Sequence, residues 1–308
     1  MVLARAFHHR GDEVIVLSRH PQTAPWRVVH WDAKTLGSWA AELEGANAVI
    51  NLAGRSVNCR YNDDNRKLIT ESRVDSTRVI GEAVARTSRP PKVWLQASTA
   101  TIYAHAKDKA NDETSGITGC SASEPDTWRF SYDVVSSWER AANDAHTPNT
   151  RKLLLRSAII MSPDRGGAFD MLLKLVRFGL GGRASNGQQY VSWIHDQDFI
   201  QSVLWLIEHD EFEGPVNLSA PGPLINSEFM RDLRAAWGIR LGLPATDLML
   251  EIGAFLLRTE TELILKSRRV VPRRLVESGF VFQFPTWRDA ARDLCSRWRQ
   301  AKPNIMSA

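Results

Sequence analysis

Cysteine is scarce in this sequence, which has three among 308 residues. Cys59, Cys120 and Cys295 lie far apart and are odd in number, so a disulfide framework is excluded. Their spacing matches no common arrangement of metal ligands. The sequence therefore predicts three free thiols and no bound metal.

Long apolar runs are absent as well. No stretch reaches the roughly 18 apolar residues that a membrane-spanning helix needs. The opening segment MVLARAFHHRGDEV has neither the apolar core nor the small-residue cleavage site of a signal peptide. The pattern predicts a cytoplasmic protein that makes no contact with membranes.

A large excess of one charge is also missing. The net charge of +4 arises from 39 basic and 35 acidic residues, although the isoelectric point is about 9.1. The one dense basic run, residues 266–274, is typical of a solvated helix face. No aromatic residues alternate with it as they do in nucleic-acid-binding motifs. We therefore expect no nucleic-acid partner.

Short apolar runs alternate with helix-length segments in the first half of the chain. The chain opens inside a helix that Gly11 ends. The periodicity predicts strands and helices as follows: strands at 13–19, 48–52, 92–98 and 152–156, and helices at 65–87 and 131–145. Strands separated by helices in this order predict an α/β fold with a Rossmann-like, doubly wound parallel sheet. Ligands of such sheets bind at the carboxyl ends of the strands.

The end of the first strand carries the first candidate residues. Ser18 and Arg19 stand where a nicotinamide-binding fold usually has an acidic residue that binds the adenine ribose. An arginine suits a 2′-phosphate instead, so the sequence favours NADP over NAD as the cofactor. An arginine that caps a strand in solvent is the alternative. Asp32 is a candidate for binding the adenine amine or, equally, for forming a turn.

The end of the second predicted strand carries further candidates for binding the cofactor. Asn51, Leu52, Ala53 and Gly54 close the second predicted strand, and the small residues among them let backbone approach a flat or phosphorylated ligand. We predict that these four residues line the cofactor.

Hydroxyl groups follow the third predicted strand, in the segment STATIY. Ser98 and Thr99 stand beside the expected nicotinamide, where a hydroxyl can bind the carbonyl or alcohol oxygen of a substrate. The alternative is that they only form the turn after the strand. We predict that Thr99, with Ser98 nearby, binds the reacting oxygen and that Tyr103 shapes the nicotinamide side.

Ten segments of the chain occur in an order that is shared with one known family: VIVLSR, INLAG, STATIY, SSWERAA, LLLRSAII, FGLGG, WIHDQD, GPVNLSAPGP, VVPRRL and ESGFVF. On these segments, the chain resembles an epimerase-like family of atypical extended short-chain dehydrogenases, whose members are often labelled nucleoside-diphosphate-sugar epimerases or, by inherited naming, cell-division inhibitors. The resemblance runs from about residue 2 to residue 294. It implies an NADP(H)-binding Rossmann-like domain at 1–160, a substrate-binding lobe at 161–243 and a C-terminal helical domain of unassigned function at 244–300.

The family's phosphate-binding turn has no counterpart in this sequence. The family opens with a strand and a Gly-x-x-Gly-x-x-Gly turn that holds the pyrophosphate of the cofactor. Here the first glycine is Gly11, beyond that turn and the helix after it. Either the true start lies upstream of Met1, or the main phosphate anchor has been lost.

The superfamily's tyrosine and lysine pair is also missing. Typical members carry a lysine four residues after a tyrosine on one helix, where the ammonium lowers the pKa of the phenol. The corresponding helix here has Tyr132 followed by Ser136 or, shifted by one residue, Ser131 followed by Val135. The resembled family commonly lacks the pair too, which leaves its chemistry open.

Another pair has the right spacing in the wrong context. Tyr103 and Lys107 are four residues apart but follow a strand end directly. We interpret their segment as a loop and Tyr103 as the aromatic residue that normally ends this strand motif.

The second lobe contains three candidates for binding the substrate. Arg183 and Gln188 stand near the glycine-rich segment at 179–182 and can bind a sugar or a phosphate. His195 precedes a predicted helix and can act as an acid or base, or it can be a buried structural histidine.

The leading hypothesis is an NADP(H)-dependent oxidoreductase or epimerase that acts on a small hydroxylated substrate, such as a nucleotide sugar. The first alternative is a non-catalytic NADP(H)-binding or scaffold protein with a degenerate active site. The second is the product of a decaying gene, whose sheet would expose an unpaired edge. The sequence leaves the substrate and the oligomeric state open.

Overall fold

A computed structural model describes residues 2–247, 249 and 262–300. The helices are α1 Val2–Arg10, α2 Asp63–Arg86, α3 Asp126–Asn143, α4 Ala168–Arg177, α5 Asp196–Glu208, α6 Asn226–Trp237, α7 Glu262–Leu265, α8 Arg273–Glu277 and α9 Trp287–Gln300. The strands are β1 Ile15–Ser18, β2 Arg27–His30, β3 Ala48–Asn51, β4 Val93–Thr99, β5 Arg151–Ser157, β6 Ile159–Met161, β7 Tyr190–Val191, β8 Trp193–His195, β9 Gly214–Leu218 and β10 Leu224–Ile225.

The chain forms two compact units that interleave along the sequence. Unit 1 contains the described residues of 2–102, 119–156 and 200–216. Unit 2 contains the described residues of 103–118, 157–199 and 217–300. The sequential domain boundaries inferred above stay predictions.

Two parallel strand pairs, the second of them joined through helix α2, confirm the predicted α/β class. β1 pairs with β2, and β3 pairs with β4, both in parallel register. A four-stranded sheet has the order β3, β4, β5 and β9, and β1 with β2 forms a separate sheet. Asn51, the last residue of β3, pairs with Gln96, and β4 continues for three more residues, so the end of β3 lies beside the last residues of β4 rather than beside those that follow it.

Helix α2 shows how local sequence sets an element that later holds the site. The side chain of Asn62 caps its first turn by accepting a hydrogen bond from the Asn65 amide, and two aspartates in that turn favour the helix N-terminus. A β-carbon at Gly81 would lie 2.7 Å from the β-carbon of Ala145. The glycine therefore permits the close approach of the α2 backbone to the end of α3.

Unit 1 has a core between its strands and its helices. Side chains from the strands and from α2 and α3 meet there, and they include Trp31, Trp39, Val79, Ile80, Val84, Trp94, Ala142 and Leu154. Their burial is the main stabilising contribution to this unit.

Unit 2 has an aromatic core of its own. Trp287 stacks on Phe229 at 4.0 Å between ring centroids and meets Trp193 edge to face at 5.1 Å. Leu233 and Leu294 are fully buried in the same cluster. Helices α6 and α9 therefore pack through one continuous apolar surface.

Several elements differ from the predicted ones at their ends. Helix α3 begins at Asp126, five residues before the predicted start, and Pro125 is its N-cap residue. Residues 190–195, for which no element is predicted above, form two short strands, β7 and β8, separated by Ser192. Gly11 does end α1, with a φ of 92°.

The C-terminal segment is less continuous than predicted. Helices α7, α8 and α9 are separated by non-helical residues, and Gly279 follows α8 with a φ of 84°. Residue 248 and residues 250–261 of the predicted helical domain lie outside the described residues.

The structure bears on three expected absences. The three cysteines are free thiols. Within residues 2–247, 249 and 262–300, no helix has both the length and the apolar character to cross a membrane. The same residues contain no group of three or more His, Cys, Asp or Glu side chains that could hold a metal ion.

The packing of α6 in unit 2 yields a direct test of its core. Leu233 is 0% exposed whereas Leu241 is 84% exposed. We expect Leu233→Ala to lower the free energy of unfolding by about 2–5 kcal/mol, because it leaves a cavity. The control Leu241→Ala should change it by less than about 0.5 kcal/mol. Equal changes in chemical denaturation would contradict this account of the core.

Candidate functional site

The carboxyl ends of β1 and β2 bring three predicted cofactor residues to one edge. Ser18 pairs with His30 in the parallel register, so Arg19 and Asp32 follow neighbouring strand ends. The hydroxyl of Ser18 accepts a hydrogen bond from the amide of His20 at 3.2 Å. The Arg19 side chain is exposed, and no residue that the structure describes forms an ion pair with it.

Asp32 forms the turn that was one of its two predicted roles. Its carboxylate accepts hydrogen bonds from the amides of Lys34 and Thr35 and from the Thr35 hydroxyl. These bonds lower the pKa of Asp32 to about 2, the hydroxyl contributing most. The carboxylate is thus ionised and oriented at neutral pH, and its contact with adenine stays a prediction.

Asn51 lies at the centre of a buried hydrogen-bond network at the end of β3. Its side-chain amide donates to Gln96 Oε1 at 3.0 Å and to Thr77 Oγ1 at 3.4 Å. Its side-chain oxygen accepts from the amide of Ala53 at 3.0 Å. The side chain therefore holds the strand-end backbone in place, and contact with a cofactor stays a prediction.

The residues after Asn51 present backbone and apolar surface at the carboxyl end of β3. Leu52 is 52% exposed, Ala53 is half-buried and Gly54 is exposed. A β-carbon at Gly54 would lie 3.1 Å from Cζ of Arg73, a helix α2 residue. The glycine therefore allows this arginine to lie against the loop.

The hydroxyl of Ser98 is occupied by a buried ion pair. It donates to Glu139 Oε1 at 2.6 Å. The two carboxylate oxygens of Glu139 also accept from Arg156, at 2.9 and 2.8 Å. Ser98 therefore has a structural role that competes with the predicted contact to a reacting oxygen.

Thr99 is the half-buried hydroxyl at the end of β4. Its oxygen lies 3.2 Å from the hydroxyl oxygen of Thr101, and either can be the donor. A hydroxyl with a hydroxyl neighbour can still donate to an incoming ligand. Its predicted role at the reacting oxygen is compatible with this geometry and stays a prediction.

Tyr103 is buried, and its phenol is bonded within unit 2. The hydroxyl donates to Asn217 Oδ1 at 2.9 Å, and Tyr103 is 2% exposed. Residues 104–106 have no regular secondary structure, which confirms the loop predicted for the segment that contains Lys107. The structure thus gives Tyr103 a packing role, and its effect on the nicotinamide side stays a prediction.

The predicted substrate residues are in contrasting environments. Arg183 and Gln188 are exposed, and the Gln188 amide donates to Asn186 in a turn that contains Gly187. His195 is 0% exposed and stacks on Phe284 at 3.8 Å between ring centroids. His195 therefore does not share the exposed surface of the other two, and substrate contact stays a prediction for all three.

Both ring nitrogens of His195 have partners in unit 2. Nδ1 accepts from the amide of Gln197 at 3.2 Å, so the proton is on Nε2, which donates to Asp293 at 3.0 Å. Burial lowers the pKa of His195, and it outweighs the opposite effects of Asp196 and Asp293. The imidazole is therefore neutral at pH 7.

Sequence reasoning missed two residues that shape the candidate site. In the sequence Glu139 is only one residue of the segment SSWERAA, whereas in the structure it binds both Ser98 and Arg156. Arg73 gives no signal in the sequence, because basic residues are common in amphipathic helices. An acidic residue at a mostly apolar helix face was the one available clue to Glu139.

Comparisons with known proteins agree with the architecture. Residues 1–127 match the NAD dependent epimerase/dehydratase family, and residues 246–294 match a domain of unknown function, DUF1731. An epimerase family protein from Staphylococcus epidermidis is 31% identical over 284 residues, which are 90% of this chain and 87% of the relative.

The solved structures that are similar to this chain include two with more than 25% sequence identity. The human epimerase family protein SDR39U1, crystallised with NADPH, has a TM-score of 0.82 at 27% identity, with 96% of this chain and 95% of that chain covered. A nucleoside-diphosphate sugar epimerase from Corynebacterium glutamicum has a TM-score of 0.73 at 26% identity, with 96% and 56% covered. These matches confirm the Rossmann-like fold.

The buried histidine makes stability depend on pH in a defined direction. The pKa of His195 is lower in the folded protein than its ordinary 6.5, so the unfolded protein binds this proton more readily. The neutral imidazole therefore favours folding above about pH 6.5, and this stabilisation is lost as the pH falls towards the folded pKa. We expect the free energy of unfolding to fall less between about pH 7 and 5.5 in His195→Gln than in the wild type.

Denaturation curves across this pH range measure the difference. The exposed His20 supplies the control, since His20→Gln should retain the wild-type slope. A slope that His195→Gln leaves unchanged would show that burial does not govern this imidazole.

Proposed function

Because the chain belongs to the epimerase family, we propose that it binds NADP(H) at the carboxyl ends of its parallel strands and transfers hydride to or from a small hydroxylated substrate. The observation that carries the proposal is the likeness, over nearly the whole chain, to a family protein crystallised with NADPH. The likeness to a nucleoside-diphosphate sugar epimerase supports a nucleotide sugar as the substrate.

The residues at the strand ends fit a phosphorylated dinucleotide. Arg19 is an exposed cation after β1 without an anionic partner among the described residues, as a 2′-phosphate requires. Asp32 is a fixed anion at the neighbouring strand end. Gly54 exposes backbone after β3, where the ligand can approach closely. When bound, the nicotinamide would supply or accept the hydride.

The chain's own residues would orient the substrate. Thr99 would donate a hydrogen bond to the carbonyl oxygen of the substrate, which stabilises negative charge there. Asn51 would keep the adjoining loop rigid through Gln96 and Thr77, so that the loop is already ordered when the cofactor binds.

A second candidate function is nucleotide binding without hydride transfer. The hydroxyls of Ser98 and Tyr103 are both bonded to protein side chains. Helix α3 has no lysine one turn after Tyr132 or after Ser131. These groups are therefore committed to the protein or missing from α3, and this favours a protein whose binding of NADP(H) acts on a partner.

We expect Arg19→Gln to weaken NADPH binding by about 10- to 100-fold, because a charge-assisted bond to the 2′-phosphate is worth about 1.5–3 kcal/mol. NADH affinity should not change, since NADH lacks that phosphate. Fluorescence titration of the full chain measures both affinities.

The control for this variant is Arg86→Gln, at the exposed end of α2. It should bind both nucleotides as the wild type does. The proposal fails if the wild type binds no NADPH, and the role of Arg19 fails if its variant loses NADH and NADPH equally.

Replacement of Thr99 distinguishes the two candidate functions. If the chain is an enzyme, Thr99→Ala should lower turnover of nucleotide sugars by about 100-fold or more, as expected when one hydrogen-bond donor to a developing oxyanion is lost, with NADPH affinity retained. Thr101→Ala is the matched control with a smaller expected effect. NADPH binding without turnover of any nucleotide sugar by the wild type would support the second candidate.

A further inference from the structure

Helix α4 in unit 2 is apolar on two opposite sides. Phe169, Leu173 and Val176 face the core of unit 2, where each is fully buried. Met171 and Leu175 lie on the other side of the helix and are exposed. A surface helix usually keeps its apolar residues on the side that faces the core. The packing of unit 2 therefore does not account for the outward apolar residues.

The outward apolar surface continues beyond the end of α4. Phe178 follows Met171 and Leu175 at helical spacing and is 78% exposed. These three residues form the outward stripe. Leu243 is exposed too, and its amide donates to the Gly179 oxygen at 2.8 Å, in the turn after α4. Clustered exposed apolar side chains are typical of an interaction surface, whereas scattered ones are not.

Arginine and tryptophan side chains pack together at the same end of α4. The guanidinium of Arg165, which precedes α4, lies 3.4 Å from the ring centroid of Trp298, and that of Arg177 lies 4.7 Å from it. The Arg299 guanidinium lies 4.0 Å from the ring centroid of Trp237. The two indole rings meet edge to face at 5.5 Å. Contact with an indole ring holds each guanidinium in place.

The basic cluster of Arg165, Lys174, Arg177 and Arg299 is only partly balanced by negative charge. The buried carboxylate of Asp170 pairs with Lys174 at 2.8 Å and with Arg165 at 3.7 Å. No carboxylate in the part of the chain that the structure describes forms an ion pair with Arg177 or Arg299. Four cations and one carboxylate leave this cluster with a net charge of +3. The cluster and the outward stripe form one apolar and basic face.

A second copy of the chain and a nucleic acid both lack the complement of this face. A two-fold symmetric dimer places the same surface on both subunits, so two basic clusters would lie close together. Phosphate groups would match the arginines, but interfaces with nucleic acid are strongly polar and leave exposed aliphatic side chains without a counterpart. A matching surface therefore combines negative charge with apolar side chains.

The fixed guanidinium groups favour a protein over a lipid surface. A planar guanidinium binds both oxygens of a carboxylate when the two groups keep a defined geometry. Carboxylates on an ordered protein segment keep such a geometry, whereas the head groups of a fluid membrane do not. Charge complementarity therefore favours acidic side chains of a protein.

We propose that the outward stripe and the basic cluster dock an acidic amphipathic helix of a partner protein. The apolar side of that helix would cover Met171, Leu175 and Phe178, which span about 10 Å at a rise of about 1.5 Å per residue. Its acidic residues would pair with Arg177 and Arg299. This docking surface is independent of the proposed function, because it uses no residue of the strand ends.

A synthetic helical peptide of about 14 residues, with leucines on one side and glutamates beside them, is the probe. Its binding to the full chain is measured by fluorescence anisotropy. We expect Phe178→Ser to weaken binding by at least about tenfold, because the burial of one phenylalanine is lost. Arg177→Gln should weaken it by about two- to fivefold, as expected for an exposed ion pair. Added salt should weaken wild-type binding, because it screens this pair.

Two exposed residues elsewhere in unit 2 supply matched controls. Val281→Ser removes an apolar side chain that is 85% exposed. Arg273→Gln removes a cation on α8 that pairs with Glu277. Both variants should bind the peptide as the wild type does. A peptide with lysines in place of its glutamates should not bind the wild type, since the basic cluster repels it.

A further variant separates docking from any effect on folding. Arg177→Lys keeps the positive charge without the planar guanidinium, so its affinity for the peptide should lie between those of the wild type and Arg177→Gln. Phe178 is mostly exposed, so Phe178→Ser should melt at the wild-type temperature. Loss of peptide binding by a variant with an unchanged melting temperature would support the docking surface.

Titrations with phosphatidylglycerol vesicles and with duplex DNA, and sedimentation of the chain alone, test the other occupants. If the acidic peptide does not bind, vesicle or DNA binding that Phe178→Ser and Arg177→Gln both weaken would replace the proposed partner with a lipid or a nucleic acid. A dimer that Phe178→Ser dissociates would replace it with a second copy.

The docking surface itself is overturned by either of two results. One is a wild type that binds neither the acidic peptide nor any of the other occupants. The other is peptide binding that Phe178→Ser and Arg177→Gln leave as tight as in the wild type. Both results are independent of whether the chain binds NADPH.

Discussion

The carboxamide of Asn51 holds together the end of β3 and the elements packed around it. It links Gln96 on β4, Thr77 on α2 and the amide of Ala53 in the following loop. Thr77 extends the network to Trp138 on α3. A buried amide must satisfy its donors and acceptor, so two strands, two helices and one loop adopt a single arrangement.

Two adjacent hydroxyl residues near this network have different roles. Ser98 and Thr99 are adjacent in sequence, but the first hydroxyl binds the Glu139–Arg156 ion pair and the second lies near another hydroxyl. Successive side chains of a strand point to opposite faces. The strand therefore commits one hydroxyl to stability and leaves the other beside the proposed ligand.

Unit 2 relies on buried charges that are balanced within it. Asp170 accepts from Trp298 and from the amide of Gly166 and pairs with Lys174. Asp196 forms a two-pronged ion pair with Arg297. Arg73 in unit 1 differs from these groups, because its charge is partly buried without such a partner among the described residues.

The sequence alone determined the α/β class, the helix that opens the chain, most strands of unit 1 and the strand ends that carry Arg19, Asn51 and Thr99. Local periodicity and turn chemistry encode these features directly. Only the tertiary structure decided that Ser98, Tyr103 and His195 are bonded inside the protein and that Arg73 lies against Gly54. Such pairings join residues that are distant in sequence. Their chemistry depends on burial, and no local sequence pattern specifies burial.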